Sequence, residues 1–163
     1  MCEYCGCQAL TSIEELTREH DAVLDLVRTA TAAAGASDGR TAVATCAALS
    51  RLLGPHTAVE EQALFPPMAR EHPAHVDTLL AEHAEAEAMF DEMTAATTPA
   101  SGWEGRLLKT LEGLRAHVFK EQDGLFPAAL SILTSAEWDE VDAVRLRVGS
   151  PLGSVRQRQG DAR

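Results

Sequence analysis

Two segments of the chain carry the same chemical signals at the same offsets. Residues 56–66 read HTAVEEQALFP and residues 117–127 read HVFKEQDGLFP: a histidine, a glutamate four residues on, and Leu-Phe-Pro beginning four residues after that. Two further histidines, His20 and His83, stand within the triplets REH and AEH, and they precede His56 and His117 by 36 and 34 residues. The chain therefore looks like a duplicated helical hairpin, each half giving one lone histidine and one His-x-x-x-Glu. Residues four apart on a helix lie on one face about 6 Å apart. The spacing sets an imidazole beside a carboxylate, the donor types that first-row metal ions take together.

Elements able to position these groups are visible in the apolar periodicity. Steps of three and four run through Ile13, Leu16, His20, Val23 and Val27, and through Cys46, Leu49, Leu53, His56, Glu60 and Leu64. They recur through Val76, Leu79, His83, Glu87 and Phe90, and through Leu107, Leu111, Leu114, His117, Glu121 and Leu125. This is the helical period. Thr11 and Ser12 are candidate caps of the first helix, and Gly54-Pro55 predicts a kink or a break just before His56. Short connections imply antiparallel neighbours. The expected fold is all-α: an up-down antiparallel four-helix bundle with a short extra C-terminal helix from about residue 136 to 148. The expected organisation is a Cys-rich N-terminal arm over 1–9, the bundle with its extra helix over 10–148, and a flexible tail over 149–163.

On each of the four stripes a histidine takes a core position, and on the second and fourth a glutamate follows one turn later. His20, His56, Glu60, His83, His117 and Glu121 would then point into the bundle together. No Lys or Arg shares these stripes, and a buried carboxylate without a partner costs several kcal/mol. A pair of metal ions would supply the missing positive charge, with imidazoles as terminal ligands and the carboxylates as bridges. Four protein ligands per ion leave a six-coordinate iron room for a bridging oxygen and an exogenous molecule. Structural zinc more often takes thiolates in a closed tetrahedral set. Iron is favoured, with manganese the alternative. Glu87 is divided between an additional metal ligand and a salt-bridging residue.

The joint pattern His20, His56-x-x-x-Glu60, His83, His117-x-x-x-Glu121 resembles the hemerythrin-like (HHE cation-binding) family over roughly residues 10–130. That resemblance implies two non-haem iron ions joined by an oxo or hydroxo bridge and by two carboxylates. Oxygen-carrying members have a second histidine one turn after the third-helix histidine, where this chain has Glu87, and a longer spacing to an Asp on the last helix. The His and Glu set is more similar to a bacterial branch associated with peroxide, nitric oxide or iron-redox chemistry. The expected function is reaction with small oxidants, hydrogen peroxide or nitric oxide, including a catalase-like decomposition of peroxide. The alternative is an oxygen-binding, oxygen-sensing or iron- and redox-sensing module without turnover.

The remaining features narrow the partners to small molecules. A formal charge of −11 and a pI near 4.9 disfavour nucleic acid and anionic membranes. With no long apolar run and no signal-like N-terminus read in the sequence, the expected location is the cytoplasm. Arg145, Arg147, Arg156, Arg158 and Arg163 read as a solvated C-terminal cluster. Cys2, Cys5 and Cys7 form CEYCGC, a candidate set of redox or transiently metal-binding thiols one short of a complete four-thiolate site, and Cys46 reads as core. His72 and His75 read as surface or capping residues, Glu61 as solvated or supporting the ligands, and the Leu-Phe-Pro pairs as apolar closure of the bundle end.

Overall fold

The computed structural model describes residues 7–96 and 98–152, and these are helices and their connections, with no strand among them. The long helices are α1 (Cys7–Gly35), α2 (Gly39–Val59), α4 (Pro73–Thr94) and α5 (Trp103–Lys120). A π-helical turn, Glu60–Leu64, joins α2 to α3 (Phe65–Ala69), and a second, Glu121–Leu125, joins α5 to α6 (Phe126–Ile132). The last helix is α7 (Ser135–Val148). None of the described helices is long and apolar enough to cross a membrane.

Local chemistry sets most of the boundaries. The Asp38 side chain accepts from the Thr41 amide and starts α2. Pro73 occupies the first turn of α4, where its missing N–H costs nothing. Thr134 and Glu137 form a reciprocal capping box at the start of α7, and Gly149 ends that helix at φ 79°.

Two boundaries differ from the sequence expectation. Helix α1 begins at Cys7, inside the stretch expected to be an arm, so Thr11 and Ser12 lie within the helix; Ser12 Oγ donates to Asp142 of α7 instead of capping. Helix α2 continues through Gly54-Pro55 to Val59 without the break expected there as the alternative to a kink, and a π turn follows at Glu60.

Helices α1 and α4 each pack against α2 and α5, and α7 lies on α1, α2 and the first π turn. The core is divided in two. One apolar cluster holds Val23, Leu52, Ala86 and Leu114, and the other holds Leu16, Val59, Leu79 and Leu125. The four histidines fall between these clusters along their helices: His20 between Leu16 and Val23, His56 between Leu52 and Val59, His83 between Leu79 and Ala86, and His117 between Leu114 and Leu125. A buried layer of histidines and glutamates therefore lies between the two apolar clusters. Trp138, Val141 and Val144 of α7 are buried in the second cluster.

Candidate metal centre

Each helix delivers its residue by ordinary helical geometry, except after the two glutamates. In an α-helix, residues five apart diverge by about 140° around the axis, so Glu60 and Phe65 could not share a face. The π turn brings both inward: the Phe65 amide bonds to the Glu60 carbonyl, five residues back, and both side chains are buried. Glu121 and Phe126 repeat the arrangement. The following prolines explain why the turn widens here. Pro66 and Pro127 have no amide to donate, and in an α-helix their rings would press on the carbonyls of Gln62 and Asp123.

The Leu-Phe-Pro segments thus do more than close an end. The Phe126 ring stacks on His20 at 5.3 Å with planes 6° apart, and Phe65 stacks on His83 at 5.6 Å and 19°. Each half of the chain supplies the ring that fixes the lone histidine of the other half.

Carboxylates orient the other faces of the imidazoles. Nδ1 of His56 lies 2.9 Å from Glu19, Nδ1 of His117 lies 2.9 Å from Glu82, and Nδ1 of His83 lies 2.7 Å from Glu61. A protonated Nδ1 donating to a carboxylate turns the Nε2 lone pair toward the interior, the usual arrangement behind a metal-bound histidine. Glu19 and Glu82 immediately precede His20 and His83, so each Glu-His pair places one imidazole in the centre and orients the imidazole of the adjacent helix. Both carboxylates have a cation behind them: Arg145 Nη2 donates to Glu19 at 2.9 Å, and Lys120 donates to Glu82. Ser150 Oγ adds a bond to Glu19 at 3.0 Å. His20 is the exception, its Nδ1 being buried without a hydrogen-bond partner. The residue after Glu121 is Gln122, where the other half has Glu61 after Glu60.

The inward atoms converge. Donor atoms of His20, His56, Glu60 and Glu121 lie within 4.8 Å of one another, as do those of His83, His117 and Glu121. Glu60 faces both groups, one oxygen 3.3 Å from His56 Nε2 and the other 3.5 Å from His83 Nε2. Glu121 Oε2 is 3.1 Å from His20 Nε2 and 3.2 Å from His117 Nε2. Cis donors on an octahedral ion with bonds of about 2.1 Å stand about 3.0 Å apart, close to these separations.

The electrostatics demand a positive charge at the middle. Glu60 and Glu121 are fully buried, and although their oxygens approach imidazoles, none forms a well-directed hydrogen bond. His83 and His117 point their Nε2 atoms at each other from 2.9 Å while their Nδ1 atoms face carboxylates. Two lone pairs so placed repel unless a proton or a metal ion lies between them. Burial pushes His56 down, but the Glu60 and Glu19 carboxylates overcome it and raise its pKa to about 10. His117 is likewise raised against its burial, by Glu121, Glu60 and Glu82. Burial alone would raise Glu121, but the close approach and charge of His117 and His20 hold it far below the usual carboxylate range. The residues present fit a cation-binding centre in donor type, orientation and charge.

The hemerythrin HHE cation-binding domain matches residues 11–129. The chain belongs to that family. Neither a curated protein nor a solved structure matches it. The matched span holds all six inward residues, from His20 to Glu121, whose two buried His and Glu groups are close enough together to hold a metal ion.

Other predicted residues lie elsewhere. Glu87 is exposed and belongs to neither group of convergent donors, because the buried stripe of α4 steps from His83 by three residues to Ala86. His72 precedes α4 without a side-chain capping bond, and His75 is part-buried. Cys46 is core, its thiol pushed up to about 11 by burial. Cys2 and Cys5 lie outside the described residues, as do Arg156, Arg158 and Arg163, and Cys7 opens α1. Arg145 is no solvated tail residue: its side chain is 11 % exposed and bound to Glu19. Sequence reasoning missed Glu19, Glu82, Lys120 and Arg145 as supports. The repeated Glu-His dipeptide was the available signal for the first two; nothing local marked Arg145.

Proposed function

We propose that this hemerythrin-family domain holds two iron ions in the polar layer of an up-down four-helix bundle and reacts there with small oxidants, hydrogen peroxide foremost. The alternation of packing partners among α1, α2, α4 and α5 supports the bundle. The observation that carries the metal reading is the set of buried, unbonded oxygens of Glu60 and Glu121 among four imidazoles. His20 and His56 would hold one ion and His83 and His117 the other. Glu60, with an oxygen toward each pair, and Glu121, between His20 and His117, would be shared.

Bound iron supplies the change between ferrous and ferric states that peroxide chemistry requires. The chain's own contribution is positional. Glu19, Glu82 and Glu61 keep three imidazoles turned inward and hold the Nδ1 protons while Nε2 binds. Phe65 and Phe126 hold the rings of His83 and His20 by stacking on them. Carboxylate ligands favour the ferric state by offsetting its higher charge, which suits a centre that meets peroxide more than one that must rest ferrous to carry oxygen. The test is consumption of hydrogen peroxide by the iron-loaded protein compared with equal free iron and with Glu60→Ala. Turnover well above free iron that falls in the variant is expected; equality with free iron would remove the peroxide reading.

A further inference from the structure

Of the six inward residues, His83 is the least enclosed, at 8 % exposure against 0 to 2 % for the rest. It also lines a cavity. This cavity, of about 300 Å³, lies between α2 and α4 and reaches His83 beside Glu61. Its walls include Leu53, Phe90 and Leu114, and its remaining charged lining is Glu61, Glu87 and Asp91, all exposed carboxylates, with no Lys or Arg. A second, smaller cavity on α4 and α5 is lined by none of the six. On the His20 side the centre is covered by Phe126 and bonded through Glu19 to α7.

We infer that the cavity between α2 and α4 is the port through which ligands reach the metal centre, and that its acidic lip admits neutral molecules and cations while slowing anions. The inference rests on the metal reading above and adds the substrate class. Carboxylates at the lip of a low-dielectric cleft focus a negative potential into it, and that potential acts on the approach rate of charged solutes. Hydrogen peroxide, oxygen and nitric oxide carry no charge and pass without penalty. Ferrous ions entering the empty centre are drawn in, and anions such as azide or nitrite are held back. The apolar walls suit small uncharged solutes equally. Glu87 thereby gains a role at the lip in place of the one considered for it at the metal.

The test uses the full-length iron-loaded protein and two probes of similar size and different charge. Azide binding to the oxidised centre is followed by its charge-transfer absorption, and nitric oxide binding to the reduced centre by stopped flow. The double variant Glu87→Gln, Asp91→Asn removes charge from two exposed positions. It should raise the azide association rate roughly three- to tenfold at low ionic strength, with the difference lost in high salt and the nitric oxide rate unmoved. Gly54→Leu narrows the cavity itself, since Gly54 lines it and a Cβ added there meets no atom within 4 Å. It should slow both probes several-fold while the iron content stays the same. An unchanged azide rate in the double variant would overturn the charge selection. Unchanged rates for both probes in Gly54→Leu would overturn the port. A wild-type protein that takes up no iron would overturn the metal reading itself, and with it the port.

Discussion

Glu19 Oε2 lies 2.9 Å from Nδ1 of His56, and both side chains are only 1 % exposed. Burial alone would raise the Glu19 pKa, but His56, Arg145 and Ser150 together lower it, so the carboxylate stays ionised against the imidazole. This bond fixes which nitrogen faces the centre. Glu19→Gln should keep the shape but lose the charge behind His56, weakening metal binding roughly 10- to 100-fold. Competition with a chelator checks this. Affinity unchanged in the variant would mean that packing alone holds the ring.

The two cation-backed carboxylates should differ in their share of stability. Arg145 is 11 % exposed and Lys120 39 %. Removing Arg145 takes the cation from the buried Glu19 carboxylate, leaving it His56 and Ser150, so Arg145→Leu should cost about 3 kcal/mol in denaturant unfolding. Lys120→Ala removes a partner open to water and should cost less than about 1 kcal/mol. Equal costs would show that burial does not decide the matter.

Phe126→Ala should destabilise the protein by about 3–5 kcal/mol, because the ring is 2 % exposed and fills space between His20 and the second apolar cluster. Its second consequence is freedom for His20, whose Nδ1 has no hydrogen-bond partner to hold it. Phe126→Leu keeps most of the apolar volume and should recover stability more fully than metal affinity. Thermal unfolding with and without metal separates the two effects, and identical recovery of both would argue against the stacking role.

For the metal-free chain the pH dependence has a definite sign. His56 stands at about 10 in the folded state against an ordinary value of 6.5. A raised histidine contributes stability that is fully present below the unfolded value and is lost as pH rises through the folded one. The metal-free protein should therefore melt at progressively lower temperature from about pH 7 to about pH 10. Bound metal takes the place of the proton, so loading near pH 7 should release protons and the loaded protein should show a smaller decline. Parallel declines, with no proton release, would contradict this.

How much of this was legible in the sequence follows from the range of each interaction. His56 and Glu60, or His117 and Glu121, are one turn apart, so helical periodicity alone sets each pair on one face, and duplication makes the pattern hard to meet by chance. The short helix expected over about 136–148 is α7, Ser135–Val148. The π turns were not legible, although Glu-x-x-x-Leu-Phe-Pro encodes them twice; a proline after an apolar run reads locally as a helix end, and only tertiary packing shows the helix continuing on the far side. Glu87 reads as inward because a step of four from His83 is as allowed as a step of three, and packing against Ala86 decides between them. Arg145 reaches Glu19 across 126 residues. No local pattern carries a contact of that range, and its neighbourhood of arginines suggests solvent instead.

The central claim is that Glu60 and Glu121 serve a pair of ions, and metal analysis of the purified protein alongside its Glu60→Ala and Glu121→Ala variants tests it most directly. The account predicts about two iron atoms per chain in the unmodified protein, since six inward donors suit two octahedral ions with open positions. It also predicts losses at both positions in each variant, because each carboxylate is shared, and a lower melting temperature as the stabilising metal is lost. One zinc per chain with no iron-oxo absorption band, or a variant that loses one metal and leaves the other untouched, would contradict it.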